Sequence, residues 1–64
     1  MDDIANEIKQ KRKALGLTQE ELALYAGVSA KFVVELESGK KTIRMDKLLA
    51  VLAVFDCALA VRHI

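Results

Sequence analysis

Apolar residues recur at helical spacing from the start of the chain. Ile4, Ile8 and Leu15 fall on one helical face, and the stems of Lys11 and Arg12 are long enough to cover the gap between them. Aspartates at the beginning and lysines at the end of this segment suit the two poles of a helix dipole. We therefore predict a first helix, which the glycine after Leu15 ends.

Two short helices are predicted next, each opened by a hydroxyl side chain that caps it. Thr18 precedes the segment 19–26, and a glutamate three residues after Thr18 completes a capping-box pattern. Gly27 ends this second helix, and Ser29 caps a third over residues 30–38. Because glycine permits the left-handed backbone of a sharp turn, the two helices are expected to be closely joined.

A fourth helix is predicted from about Met45 to Phe55. Its apolar stripe consists of Leu48, Leu49, Leu52 and Phe55, which follow the i, i+1, i+4, i+7 spacing of one helical face. This stripe is expected to cover the core of the domain.

The tail of the chain, CALAVRHI, follows a different pattern. Apolar residues alternate with period two over residues about 57–63, which favours a short strand. One strand cannot satisfy its own backbone groups, so the simplest partner is the same strand of a second copy about a two-fold axis. The alternative is that the fourth helix continues to Val61. The dimer interface predicted from the strand comprises Phe55, Cys57, Leu59, Val61 and His63.

These elements together predict one all-α domain over residues 1–64, with four to five helices and the short C-terminal strand. The closely joined pair over about 18–38 has the form of a helix-turn-helix. Within it, small Ala23 lets the two helices cross closely, and Val28 and Val33 fill the space between them.

The start of the third helix is the part of such a pair that meets the major groove of DNA. Its outward positions are Ala30, Lys31 and Val34. The formal net charge is only +1, but basic residues are concentrated in two clusters, at 9–13 and 40–47. The first cluster is interpreted as a solvated face that complements the helix dipole. Lys40, Lys41 and Arg44 of the second cluster are either phosphate contacts or plain solvent-exposed residues.

Composition adds a tendency towards self-association. Hydrophobic residues make up 53% of the 64 residues, more than one small core easily covers. The apolar run Leu48–Val61 is too short for a membrane helix, which needs about 20 residues. A lone cysteine and the absence of a signal-peptide pattern favour a cytoplasmic protein.

The chain carries no pattern typical of catalysis. No nucleophile–base–acid set, phosphate-binding glycine loop or enclosed carboxylate pair can be assembled from it. His63 and Cys57 are six residues apart and do not form a metal site. We therefore expect a binding protein without an enzymatic activity, a cofactor or a metal.

The segment KRKALGLTQEELALYAGVSAKFVVELESGKKT closely resembles the XRE-type helix-turn-helix of phage Cro and CI repressor-like proteins. The remaining piece, KKTIRMDKLLAVLAVFDCALAVRHI, is similar to the HipB-like branch, whose members pair C-terminal strands between two subunits. The resemblance implies a dimeric repressor and an antitoxin whose partner is a HipA-type kinase. It also implies a bacterial or phage-like origin and association with the nucleoid. The matching residues are Arg12, Leu15, Gly16, Leu17, Thr18, Gln19, Leu22, Ala23, Gly27, Val28, Ser29, Val33, Leu36, Glu37 and Gly39.

The same resemblance implies roles for individual residues. Gln19 matches a position that touches a DNA phosphate and braces the recognition helix. Arg12 and Glu37 match an internal ion pair between the first helix and the recognition helix. The DNA-binding residues expected in this way are Gln19, Ser29, Ala30, Lys31, Phe32, Val34, Glu35, Lys40, Lys41 and Arg44.

Three of these positions depart from the pattern of the family. Ala30 has no hydrogen-bonding side chain where many phage repressors have glutamine, and Val34 is apolar at an often polar position. Glu35 is acidic, so it can accept from a cytosine amino group but repels phosphate. Lys31 is then the main candidate for base reading.

Two functions of different kinds remain open at this stage. The protein is a dimeric repressor that binds an operator, or a protein-binding module that mainly holds a kinase-type toxin, and the two functions are compatible in an antitoxin. Leu24 and Tyr25, on the outer side of the second helix, are compatible with a protein contact, whereas Lys31 within the helix-turn-helix motif favours DNA. Binding to DNA that weakens steeply with salt is the observation that distinguishes the first function.

Overall fold

Four helices connected by short loops make up the structure, a computed structural model. They are α1 (Asp2–Ala14), α2 (Gln19–Ala26), α3 (Ala30–Glu37) and α4 (Met45–Arg62). The structure describes the backbone of residues 2–62 and the side chains of residues 3–56. The helical class and the four predicted helices are confirmed.

Polar caps determine where the two short helices begin. Thr18 Oγ1 accepts a hydrogen bond from the backbone N–H of Glu21 at 3.0 Å, and Thr18 N–H donates to Glu21 Oε1 at 2.8 Å. Ser29 Oγ accepts from the backbone N–H of Phe32 at 3.1 Å. These bonds satisfy N–H groups that have no partner inside a helix, so α2 and α3 begin at the predicted residues.

Gly27 forms the turn between α2 and α3. Its φ of 74° lies in the left-handed region, and the N–H of Val28 donates back to the carbonyl of Ala23 at 3.0 Å. This pattern satisfies the last carbonyls of α2 and reverses the chain within a few residues. The turn therefore places α3 across α2, as a helix-turn-helix requires.

The core lies where the four helices meet. Ile8, Leu22, Val33 and Val51, one from each helix, are fully buried, and small Ala23 is buried between α2 and α3. The other buried apolar side chains are Ala5, Phe32, Leu36, Leu48 and Phe55. Because α3 packs against both α1 and α2, only its outer face is open to solvent.

Residues 57–62 do not form the predicted C-terminal strand. They continue α4 as helix. No glycine or proline interrupts α4, its last turns contain alanines, and a lone strand leaves its backbone groups unpaired. Phe55, expected at a dimer interface, is buried in the core instead. The side chains of Cys57, Leu59 and Val61 and all of His63 lie outside the described residues.

The apolar face of α4 also differs in phase from the prediction. Leu48, Val51 and Phe55 cover the core, whereas Leu49 is 57% exposed. A residue one position after Leu48 is rotated by about 100° around the helix, which turns it away from the other helices. The helix therefore carries apolar side chains on two faces, and only one of them is used by the core.

Replacement of Gly27 tests the turn between α2 and α3. A Cβ at this residue would meet no atom within 4 Å, so any loss of stability comes from the left-handed backbone alone. We expect Gly27→Ala to lower the free energy of unfolding by roughly 1–2 kcal/mol. Gly27→Asn should lose less, because asparagine tolerates this conformation. Urea unfolding of the three proteins measures the difference, and equal losses for alanine and asparagine would contradict this account.

Candidate nucleic-acid interface

A bidentate ion pair joins α1 to α3 on the inner side of the candidate interface. Arg12 donates through Nε to Glu37 Oε2 at 2.7 Å and through Nη2 to Glu37 Oε1 at 3.1 Å. The two side chains are only 10% and 3% exposed. Arg12 Nη1 also donates to the carbonyl of Leu17 at 2.7 Å. Each of the three guanidinium nitrogens therefore donates a hydrogen bond. The structure thus brings together the two residues expected to pair.

Glu37 is shared by a third element. Gln19 Nε2 donates to Glu37 Oε1 at 3.2 Å, which connects the first residue of α2 to the last residue of α3. One carboxylate therefore ties α1, α2 and α3 to each other. The family pattern predicts that Gln19 braces α3, but neither its partner nor the bond from Arg12 to the Leu17 carbonyl follows from that pattern.

The outer face of α3 presents a mixed set of side chains. Lys31 and Val34 are exposed, Glu35 is partly exposed, and Ala30 is partly buried against the core. Ser29 is exposed, but its hydroxyl oxygen is used by the helix cap. Lys31, Val34 and Glu35 are therefore the side chains of α3 that can reach a ligand.

Phe32, expected among the DNA contacts, belongs to the core. Its side chain is buried between the helices, and the Nζ of Lys47 lies 5.8 Å from the centre of its ring. A cation at this distance is attracted by the negative face of the ring. Phe32 thus holds Lys47, from the first turn of α4, beside α3.

A shallow groove of about 260 Å³ lies between α3 and the start of α4. We call it the basic groove, because four of its nine lining residues are cations and one is an anion. The cations are Lys31, Lys40, Arg44 and Lys47, the anion is Glu35, and the remaining residues are Ser29, Phe32, Thr42 and Ile43. Lys47 is not among the contact residues expected from the sequence, although it closes the basic cluster at 40–47.

Two cations of the basic groove are already paired. Lys40 Nζ lies 3.0 Å from Glu35 Oε2, and Arg44 Nη2 lies 3.1 Å from Asp46 Oδ2. Desolvation raises the pKa of the Asp46 carboxyl. Hydrogen bonds from Arg44 and from backbone N–H groups lower it, as does the positive charge of Arg44, and the net result is a lowered pKa. The Asp46 carboxylate is therefore ionised at neutral pH, but its pair with Arg44 is largely exposed and holds Arg44 only weakly.

Other cations remain unpaired within the part of the chain whose side chains are described. No ion pair there engages Lys31, Lys41 or Lys47. Lys31 and Lys41 are exposed. These lysines are therefore free to approach a phosphate or a base.

The described residues contain no group of three or more side chains suited to hold a metal ion. None of the helices in this part of the chain has the length and apolar content needed to cross a membrane.

Comparison with known proteins agrees with this geometry. Residues 8–61 match the helix-turn-helix family. The chain belongs to this family, of XRE type. A relative from Sinorhizobium fredii, the uncharacterized HTH-type transcriptional regulator y4mF, is 42% identical over 57 residues. The match covers 89% of this chain and 75% of the relative.

Membership of the helix-turn-helix family defines the roles of the helices. The protein is a DNA-binding regulator and not an enzyme. In this family the second helix of the motif enters the major groove, which makes α3 the recognition helix. The ion pair of Arg12 and Glu37 lies behind that helix, away from its exposed face.

Replacement of Arg12 tests how much the interface depends on the ion pair. We expect Arg12→Ala to lower the free energy of unfolding by about 3–5 kcal/mol, because Glu37 is left buried without its partner. The neighbouring Lys13→Ala should stay within about 0.5 kcal/mol, because Lys13 is exposed. Arg12→Lys should restore only part of the loss, since lysine lacks the planar fork. Melting curves measure all three, and indistinguishable curves for Arg12→Ala and Lys13→Ala would refute the prediction.

Proposed function

We propose that this protein is a homodimeric transcriptional repressor that binds an inverted-repeat operator in double-stranded DNA. The observation that carries the proposal is the position of the recognition helix. Glu37 braces its inner side, and its outer face borders the basic groove. A rigid helix with a cationic rim suits the negatively charged major groove. The similarity to the regulator y4mF, which extends over most of this chain, supports the transcriptional role.

Lys31 is proposed to read a base. It is the second residue of α3, it is exposed, and none of the described acidic side chains pairs with it. Residues at the N-terminal end of a recognition helix are the ones that reach base edges. A lysine there suits the two acceptors of guanine, O6 and N7.

Lys41, Arg44 and Lys47 are proposed to contact phosphates. Lys41 and Arg44 lie on the loop between α3 and α4, and Lys47 lies in the first turn of α4. Arg44 and Lys47 line the basic groove beside the recognition helix. Contacts of this kind position a protein on the duplex without selecting a sequence. They also make binding depend on salt, because each neutralised phosphate releases its counterions.

An apolar surface formed by α2 and α4 is proposed to join two copies of the chain. Leu24 and Tyr25 are 78% and 65% exposed. Beside Tyr25 runs a groove lined otherwise by Ala26, Ala50, Ala53 and Val54. The surface thus has both a projecting aromatic ring and a recess of small side chains, so two identical surfaces complement each other about a two-fold axis.

The chemistry of this surface favours a second copy as its occupant. Met45 and Leu49 continue the apolar stripe of α4 beyond the groove, and both are more than half exposed. None of the side chains in this surface is charged. A stable dimer buries about 800 Å² on each partner, roughly a fifth of the 4502 Å² surface of the chain.

An antitoxin role is a further part of the proposal, and it rests on the resemblance to the HipB-like branch alone. It implies that a HipA-like kinase binds the dimer. The test is whether a kinase encoded beside this gene binds the purified protein and thereby loses activity.

Substitution of Lys31 and Lys41 separates base reading from phosphate contact. Lys31→Ala should lose about 1–3 kcal/mol of binding free energy on the preferred duplex and discriminate less at one base pair of each half-site. Lys41→Ala should weaken all duplexes alike and reduce the salt slope by about one unit. Titration of both variants with preferred and scrambled duplexes at several salt concentrations measures this. Equal weakening on both duplexes by Lys31→Ala would show that Lys31 contacts a phosphate.

A lysine in the apolar surface tests the dimer. Ala53→Lys places a charge in the recess beside Tyr25, so we expect monomers at concentrations at which the unchanged protein is dimeric. Ala14→Lys, at the exposed end of α1, is the matched control and should leave the dimer intact. Sedimentation equilibrium gives the mass of each protein. A dimer that survives Ala53→Lys would exclude this surface as the interface.

A further inference from the structure

The exposed face of the recognition helix carries one carboxylate, that of Glu35. The other acidic residue of α3, Glu37, points inward to Arg12. Glu35 follows Lys31 by four residues, so the two side chains lie on the same side of the helix, one turn apart. A carboxylate in this place faces the DNA together with the proposed base-reading lysine.

Lys40 is attached to Glu35 by two separate contacts. Its Nζ lies 3.0 Å from Glu35 Oε2, and its backbone N–H donates to the carbonyl of Glu35 at 3.2 Å. The second bond anchors the main chain of Lys40 on the last turn of α3. The backbone bond therefore places the start of the Lys40 side chain beside Glu35, and the charge of the carboxylate attracts the ammonium group.

An unscreened carboxylate in the major groove is repelled by the phosphates on both sides. A cation 3.0 Å away offsets that repulsion and leaves the second carboxylate oxygen free to accept a hydrogen bond. Side chains that only accept, such as glutamate, select the exocyclic amino group of cytosine. The pair thus has no net charge, but its carboxylate still only accepts hydrogen bonds.

We infer that Lys40 is a positioning residue that neutralises Glu35 and holds it as a reader of a cytosine amino group in the major groove. Lys40 is accordingly not a phosphate contact, unlike its neighbour Lys41. The inference rests on the proposed function, because it assigns a specificity residue within the proposed DNA interface.

A double-mutant cycle tests the coupling between the two residues. A pool of duplexes with a randomised centre is first selected with the unchanged protein, and the preferred duplex is then titrated with each variant at several salt concentrations. We expect Lys40→Ala to weaken binding roughly 5- to 150-fold, the range of one lost base contact. In a Glu35→Gln background the same change should weaken binding less than about twofold, because no carboxylate remains to be neutralised.

Two further variants separate a positioning role from a general charge effect. Lys40→Arg keeps the cation and should retain binding close to that of the unchanged protein. Lys41→Ala is the matched control and should weaken binding by the same factor in the unchanged protein and in the Glu35→Gln background, because no contact joins Lys41 to Glu35. Glu35→Gln alone should move the preference at one base pair from cytosine towards adenine, to which an amide side chain bonds.

The outcomes distinguish the inference from the proposed function. If Lys40→Ala weakens binding equally in both backgrounds and lowers the salt slope by about 0.9, Lys40 contacts a phosphate and the inference is wrong. If the unchanged protein selects no duplex and shows no salt-dependent binding, the proposed function itself fails. The unchanged protein could also bind selectively while Glu35→Gln leaves the preference at that base pair as it was. That result would overturn the assignment of Glu35.

Discussion

The buried carboxylate of Glu37 is the constraint on which the interface depends. It accepts from Arg12 on α1 and from Gln19 on α2, while its own backbone ends α3. One side chain thereby joins three helices. Two buried charges are costly to remove from water, and here the bidentate geometry and the bond to the Leu17 carbonyl offset that cost. The pair orients α3 without occupying the exposed face of that helix.

Much of the fold is predictable because its signals are local. The caps at Thr18 and Ser29 and the left-handed glycine at 27 act within three or four residues, so the ends of the short helices follow from the sequence. The tail is not predictable in this way, since its alternating residues suit a strand while its alanines suit a helix. Continuation of α4 needs no partner for its backbone, and the structure has helix to Arg62.

The site is predictable to a smaller extent, because its contacts depend on how separate segments meet. A family pattern indicates Arg12 and Glu37, but the path of the chain after α3 decides that Lys40 returns to Glu35. The burial of Phe32 likewise depends on the packing of α4, which brings Lys47 over its ring. The packing of separate segments, which the sequence pattern does not contain, therefore decides the surroundings of Lys40 and Phe32.

The shortness of α2 and α3, eight residues each, links recognition to folding as a whole. Helices of this length do not persist alone in water, so the reading surface exists only while the complete domain is folded. Any ligand that binds this surface therefore stabilises every helix at once, by mass action on the folded state. DNA binding and resistance to proteolysis therefore depend on the same folding equilibrium. A molecule released from DNA loses the stabilisation by its ligand, so it unfolds more often and is cleaved more readily.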